Sequence, residues 1–223
     1  MEPLELSIDS ASAIASVALT REGSLLAERT WSCGRQQSRQ LLPAIDELLA
    51  QQGETKDSVT AVFVCTGPGT YAGVRACVSI AKGLAYGLEL PLVGVGRLEI
   101  QAYAFAAAGT PIAALHRAGR GRIAWAAYVA DPDWRELVAP RTSEPAALAG
   151  ELPAGALVIG DIDSELAAEL AGAGHRAVHG ATTIRHAALL AELGWLRLQA
   201  GATDDPKSLV PLYLREPAIG PQK

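Results

Sequence analysis

The first hundred residues predict an α/β fold in which a mixed sheet is flanked by helices. Three short segments, at residues 4–10, 14–20 and 24–31, are rich in apolar side chains in strand-like patterns and are joined by short links, which is typical of an antiparallel meander. Helical and strand-like patterns then alternate as far as residue 108, which is typical of parallel strands joined by crossover helices. An antiparallel edge on a parallel core is the ribonuclease-H-like arrangement.

A helix is predicted at residues 36–51, where leucine and isoleucine recur at helical spacing. Pro43 lies inside this pattern, so the helix is expected to begin near the proline or to bend there. A strand at residues 60–66 comes next. A second short strand at residues 91–95 and a helix at residues 97–108 complete the first half of the chain.

The helix predicted at residues 70–88 is the most informative element. It follows a sharp turn at residues 67–69, and Thr70 is a candidate N-cap. One face of this helix is apolar, whereas a second face, which we call the small face, includes two glycines that cost roughly 1 kcal/mol each relative to alanine. Close packing on the chain's own sheet, or the close approach of a helix from another chain or lobe, would offset this cost. The small face consists of Ala72, Ala76, Ser79, Gly83 and Gly87.

The second half of the chain echoes this order of elements without repeating the sequence. We predict a first lobe at residues 1–108, a smaller and divergent second lobe at 109–215, and a mobile tail at 216–223. Strands are expected at residues 111–117, 122–130, 135–138, 156–160 and 175–178, and helices at residues 145–148, 164–171 and 183–200.

Composition and charge restrict the classes of function. A formal net charge of −5 argues against an extended nucleic-acid surface on this chain alone. The sequence shows neither a signal-peptide pattern at its N-terminus nor the ~18 consecutive apolar residues of a membrane span. The three cysteines have no metal-binding spacing. A cytoplasmic protein without a membrane segment is therefore expected.

Few residues suggest chemistry. Asp9 lies at the predicted end of the first strand, where a carboxylate can hold magnesium, although a turn-stabilising role is the commoner explanation. Asp161 and Asp163 could pair with Asp9 across a cleft between the lobes. Gly67 and Gly69 could cradle a phosphate at a helix N-terminus, with a purely structural turn as the alternative.

Two histidines have a spacing that suits metal binding on a helix. The residues between His175 and His179 favour a surface strand instead, on which four positions span about 13 Å. A zinc site also needs a third protein ligand, and none is evident nearby. We therefore expect no metal, no cofactor and no catalytic residue.

Seven short segments occur in a characteristic order. The most specific is GPGTYAGVR at residues 67–75. The other segments are LSIDS at residues 6–10, ASVAL at 15–19, RQQSRQLLP at 35–43, GLAYG at 83–87, PLVGV at 91–95 and LVPLYLR at 209–215. Together they resemble the TsaB (YeaZ) family of tRNA threonylcarbamoyladenosine biosynthesis. The resemblance covers nearly all of the first hundred residues and a short C-terminal signature.

The resemblance implies a fold of the actin-like ATPase superfamily (ASKHA), with two ribonuclease-H-like lobes. It also implies a non-catalytic subunit, similar to the enzyme TsaD but without its metal-binding histidine pair, which stabilises and activates TsaD. TsaD transfers the threonylcarbamoyl group to the adenosine next to the tRNA anticodon, and the ATPase TsaE joins the complex. The chain would contact tRNA only through this complex, and a homodimer through the same helices is a further expectation.

In this family the contact helices correspond to residues 38–51 and 70–88 of the chain. Gln37 and Ala72 depart from a histidine and a threonine that are common in the family, so the affinity for the partner could differ. The predicted interface consists of Leu42, Ile45, Leu49, Ala72, Arg75, Ala76, Ser79, Gly83 and Gly87.

Two other functions stay open at this point. An active ATPase or small-molecule kinase of the same superfamily would work through Asp9 and the turn at residues 67–69, and ATP hydrolysis by the isolated chain would favour it. A metal-dependent peptidase would require stoichiometric zinc or iron that is lost when His179 is replaced.

Overall fold

Two five-stranded mixed sheets form the framework of the molecule, and a computed structural model describes them within residues 2–214. The tail predicted at residues 216–223 lies outside the described residues. The strands of the first sheet are β1 (Glu5–Asp9), β2 (Ile14–Arg21), β3 (Ser24–Ser32), β4 (Ala61–Cys65) and β5 (Leu92–Val95). The strands of the second sheet are β6 (Ile112–Arg117), β7 (Ile123–Ala130), β8 (Trp134–Ser143), β9 (Leu157–Gly160) and β10 (Arg176–Val178).

The two sheets have the same topology. The strand order is β3-β2-β1-β4-β5 in the first sheet and β10-β9-β6-β7-β8 in the second. In each sheet three strands form an antiparallel meander, and two further strands join it in parallel. The predicted α/β fold and the echo of element order between the two halves are therefore confirmed.

Six α-helices cover these sheets within the described part of the chain. Three 3₁₀ turns, at Lys56–Ser58, Ala106–Ala108 and Ala181–Thr183, supplement them. No helix within residues 2–214 combines the length and the apolar character that a membrane span requires. The helices are α1 (Gln37–Gln51), α2 (Tyr71–Gly87), α3 (Arg97–Tyr103), α4 (Pro145–Glu151), α5 (Ser164–Gly172) and α6 (Ala187–Gln199).

Some element boundaries differ from the prediction. α1 begins at Gln37, so it contains Pro43 rather than starting at it. The predicted helix at residues 97–108 divides into α3 and a 3₁₀ turn, and the helix predicted from residue 183 begins only at α6. β8 is longer than the predicted 135–138 because most of its length pairs with β7 along the sheet edge, and such pairing is not visible in the local sequence.

Helices α3 and α6 each pack against the sheet of the other half of the chain. Leu98 and Ala102 of α3 lie in a core with residues of β6, β7 and β9. Leu190 and Leu193 of α6 join the core of the first sheet, where α6 contacts all five strands. The two helices also contact each other, so they form a layer between the sheets. The division of the chain at residue 108 stays a prediction.

Candidate functional site

The small face of α2 is open to solvent. Gly83 and Gly87 are exposed, and a Cβ atom added to either glycine would meet no atom within 4 Å. Ala72 and Ser79 are exposed as well, and Ala76 is half-buried. The opposite face of α2 packs on the first sheet, mainly on β4. Close packing on the chain's own sheet therefore does not explain the two glycines.

Larger exposed side chains flank the small face. The guanidinium of Arg75 lies over the ring of Tyr71 at 5.0 Å and donates a hydrogen bond of 2.9 Å to its hydroxyl. Tyr86 on the same helix is 64% exposed, and Leu42 on the neighbouring α1 is 40% exposed. Tyrosine and arginine are enriched in protein interfaces. The combined surface of α1 and α2 thus exposes residue types that are enriched in protein interfaces.

Two residues of the predicted interface lie in the protein core and not on the surface. Ile45 and Leu49 are 0% and 2% exposed and belong to the core of the first sheet. They occupy the face of α1 that packs against the sheet, so they offer no surface to a partner. The predicted interface is corrected at these two positions, and the other seven residues stay a prediction.

Two glycines, one in the turn before α2 and one in the first turn of α2, allow a close approach to the loop after β1. A Cβ atom on Gly69 or Gly73 would lie 2.1 Å from the carbonyl oxygen of Ala11 or Ser10, respectively. The amide of Thr70 donates to the carbonyl of Ala11 at 2.9 Å. Thr70 is the N-cap residue of α2, as predicted, but its side chain makes no capping hydrogen bond.

Gly67 completes the turn with a φ of +96°, a value that favours glycine. Its carbonyl accepts a hydrogen bond of 2.6 Å from the amide of Arg97, which starts α3. Hydrogen bonds therefore connect the turn at residues 67–69 and the residue after it to the start of α3 and to the loop after β1. These contacts favour the structural explanation of the glycines over the phosphate cradle.

Asp9 forms a buried ion pair with Arg185. Its two carboxylate oxygens accept hydrogen bonds from Nε of Arg185 at 2.7 Å and from Nη2 at 3.2 Å, and the amide of Ala11 adds a third at 2.8 Å. Burial alone would raise the pKa of Asp9, but the Arg185 charge and these hydrogen bonds hold it below its ordinary value. The ionised carboxylate is thus neutralised by a guanidinium. Arg185 was not among the residues that sequence reasoning identified.

Asp161 lies on the second lobe and pairs with other groups. Nδ1 of His116 lies 2.8 Å from its carboxylate, the amide of Arg117 donates to it at 3.1 Å, and Nη2 of Arg97 is 3.8 Å away. Burial raises the pKa of Asp161, but the His116 hydrogen bond and the Arg97 charge outweigh this and lower it. Burial lowers the pKa of His116, so the ring is neutral at pH 7 and its Nδ1 hydrogen faces the carboxylate.

Asp163 does not join the predicted carboxylate group. Its Oδ1 accepts a hydrogen bond of 3.0 Å from the amide of Leu166 and caps α5. Its other oxygen forms an exposed ion pair with Arg117. The expectation that Asp163 pairs with Asp9 across the cleft is therefore wrong, because the N-terminus of α5 already engages this side chain.

The two lobes enclose a cavity of about 490 Å³. Both halves of the chain contribute to its walls, and α3 contributes the polar side chains of Arg97 and Gln101. The lining includes Ser12, Thr70, Arg97, Gln101, Asp161 and Arg185.

His175 and His179 lie at opposite ends of β10. His175 is 6% exposed and its Nε2 lies 3.1 Å from the carbonyl of Ala149 in α4, so the predicted surface position is wrong for this residue. His179 is exposed at the other end of the strand. The described residues contain no group of three or more His, Cys, Asp or Glu side chains that could hold a metal ion.

The sequence is similar to proteins of tRNA modification. A family model described as TsaD, tRNA N6-adenosine threonylcarbamoyltransferase, matches residues 31–164. The tRNA threonylcarbamoyladenosine biosynthesis protein TsaB of Escherichia coli is 36% identical over 128 residues, which cover 56% of this chain and 55% of that protein. The alignment thus spans about half the length of this curated relative.

Solved structures share the fold. YeaZ from Pseudomonas aeruginosa superposes with a TM-score of 0.79 at 24% identity, covering 95% of this chain and all of that one. A ROK family protein from Streptococcus pneumoniae TIGR4 has a TM-score of 0.52 at 11% identity, covering 89% of this chain and 99% of that one. At these identities the likeness shows the fold alone.

Proposed function

The chain belongs to the TsaB (YeaZ) branch of the family that the TsaD model describes, and from this membership we propose that it is a non-catalytic subunit which binds and activates TsaD. It has the actin-like ATPase (ASKHA) fold with two ribonuclease-H-like lobes. In this proposal TsaD transfers the threonylcarbamoyl group to the adenosine next to the anticodon. TsaE is the second protein partner, and tRNA is contacted only through the complex.

The exposed small face of α2 carries the proposal. A helix without bulky side chains on one face lets another backbone approach closely, and burial of this face would offset the stability that Gly83 and Gly87 cost the isolated chain. The TsaD family model matches residues 31–164, a range that includes both α1 and α2. TsaD is therefore expected to present helices equivalent to these two, and pairing of like surfaces is the simplest assembly.

The buried pair of Asp9 and Arg185 gives independent support. An ATPase or kinase of this fold would need the carboxylate at the end of β1 for a magnesium ion. Here both oxygens of Asp9 accept hydrogen bonds from the guanidinium of Arg185, which lies in the cleft. Metal binding at Asp9 would require the loss of this ion pair, so the arrangement favours a subunit over an active kinase.

Co-purification with TsaD and an assay of tRNA modification test the proposed function. We expect the two chains to form a stable complex, and we expect threonylcarbamoyl transfer to be strong only when both are present. Wild-type activity of TsaD without this chain would refute the proposal. ATP hydrolysis by the isolated chain that is lost in Asp9→Asn would favour the kinase or ATPase alternative.

A single substitution tests the interface. Gly83→Glu places a charged side chain on the small face and is expected to weaken the complex at least tenfold, because a bulky group there prevents close approach. The isolated variant should fold, since a side chain at Gly83 meets no neighbour. Gly172→Glu is the matched control, because this exposed glycine of α5 also has open space around it. Undiminished binding by Gly83→Glu would refute the interface but not the function.

A further inference from the structure

The C-terminal segment, which we define as residues 205–214, lies against α2 without forming a helix or a strand. Nζ of Lys82 in α2 donates a hydrogen bond of 2.8 Å to the carbonyl oxygen of Leu209. The ring of Tyr213 stacks on the ring of Tyr71 at the start of α2, with 5.2 Å between the ring centroids. A polar contact and an aromatic contact therefore hold the C-terminal segment beside α2.

A groove of about 480 Å³ separates the C-terminal segment from α2. Ser79 belongs both to the lining of this groove and to the small face, so the groove is continuous with the surface that we propose as the docking site. On the other side of the groove, Val210 is 69% exposed, although its neighbour Leu209 packs against the core of the first sheet. The α2 side of the groove consists of Tyr71, Arg75, Val78, Ser79 and Lys82.

The groove is positively charged. Arg75 and Lys82 line it, and none of its lining residues is an aspartate or a glutamate. The exposed guanidinium of Arg75 donates to the hydroxyl of Tyr71 and forms no ion pair within the described part of the chain. The whole chain has a formal net charge of −5, so the groove differs in sign from the rest of the molecule. A carboxylate is the complementary group, because it accepts charge-assisted hydrogen bonds from a guanidinium.

We propose that α2 and the C-terminal segment form one docking surface, and that TsaD places an aspartate or glutamate side chain in the groove between them. This carboxylate pairs with Arg75, and apolar side chains of TsaD around it cover Val210. The small face lets the two helices approach closely, and the charged pair beside it fixes their register. The inference rests on the proposed function and adds to it a second contact element of this chain and a residue class of the partner.

Affinity measurements between TsaD and variants of the full chain, at low and at high salt, test the charged contact. Arg75→Gln should weaken binding about tenfold at low salt and by a smaller factor at high salt, because salt screens a pair at the edge of an interface. Arg120→Gln is the matched control, since it removes an exposed arginine from the β6–β7 turn, and it should leave the affinity unchanged.

A second variant tests the apolar contact. Val210→Ser should weaken the binding of TsaD about fivefold, because an apolar side chain is no longer buried by the partner. Leu196→Ser is the control, since this leucine of α6 is 55% exposed and does not line the groove. Without TsaD, Arg75→Gln and Val210→Ser should melt at the temperature of the wild type, because both side chains are exposed.

The outcomes separate this inference from the proposed function. Undiminished binding of TsaD by either Arg75→Gln or Val210→Ser would overturn the inference and leave the proposed function intact. Absence of binding by the wild-type chain would refute the proposed function, and the inference with it. If the two variants abolished self-association of the isolated chain but bound TsaD normally, the groove would belong to a contact between two copies, and the inference would be wrong.

Discussion

The two lobes have the same strand order but carry different helices on their outer surfaces. The first sheet is covered by α1 and α2, of 15 and 17 residues, whereas the corresponding helices of the second sheet, α4 and α5, have 7 and 9 residues. Helices α1 and α2 contact each other, and α2 exposes the small face with its flanking arginine and tyrosines. Topology alone therefore does not produce the surface that we propose as the docking site. Helix length and side-chain size on the first sheet distinguish it.

Two glycines in helices that pack on the first sheet show a similar contrast. A Cβ atom on Gly194 of α6 would lie 2.4 Å from the ring of Phe63, whereas a Cβ atom on Gly83 of α2 would meet nothing within 4 Å. Gly194 lets α6 lie close to the sheet. Gly83 has no such role in the isolated chain, which is why we assign it to contact with another molecule.

The largest expected effect concerns the ion pair that connects β1 to the segment before α6. Arg185→Met leaves Asp9 buried without its counterion and should lower the free energy of unfolding by about 3–5 kcal/mol. The exposed pair of Arg117 with Asp163 is the control, since Arg117→Met should leave the free energy of unfolding nearly unchanged. Urea unfolding followed by circular dichroism measures both. Equal losses would mean that burial does not distinguish the two pairs.

The next effect comes from the close packing of α6. Gly194→Ala should lower the free energy of unfolding by about 1–3 kcal/mol, because the added methyl group collides with the ring of Phe63. The same urea experiment measures it. A stabilised variant would show that α6 does not lie as close to the first sheet as described.

Acid should lower the stability of the protein in two separate pH ranges. The pKa of His116 is lowered, so the unfolded chain takes up a proton there that the folded chain does not, and stability starts to fall below about pH 6.5. The pKa values of Asp9 and Asp161 are also lowered. The stability that these carboxylates contribute is present above about pH 4 and is lost as the pH falls further through their folded pKa values.

Melting temperatures between pH 8 and pH 3 measure this dependence. His116→Gln should remove the decline near neutral pH and leave the steeper loss in acid. Asp9→Asn should make the acid loss shallower. If the melting temperature rose on acidification from neutral pH, the pKa of His116 would not be lowered in the folded protein.

The smallest effect has the opposite sign. Gly83→Ala should raise the free energy of unfolding of the isolated chain by about 1 kcal/mol, because alanine is the better helix former and the added methyl group meets no neighbour. Thermal and urea unfolding measure the gain. A loss of stability would mean that the small face is already packed against something in the free protein.

Much of the framework was predictable from local pattern. The meander of the first sheet, the strand before α2 and the small face of α2 follow from alternation, turn residues and helical spacing within short stretches. The interface expected from the family resemblance included Ile45 and Leu49, although both lie on the inner face of α1. Spacing identifies a helix and its faces, but the position of the neighbouring sheet decides which apolar residues remain exposed.

The sequence by itself determined the order of strands and helices and the absence of bulk on one face of α2, because both depend on residues close together in the chain. Tertiary structure alone decided the rest. The exchange of α3 and α6 between the sheets, the pairing of Asp9 with Arg185 and the packing of the C-terminal segment against α2 join groups that lie far apart in sequence. Such contacts form only when the two halves of the chain pack together, since burial and distance, rather than spacing, set their energies.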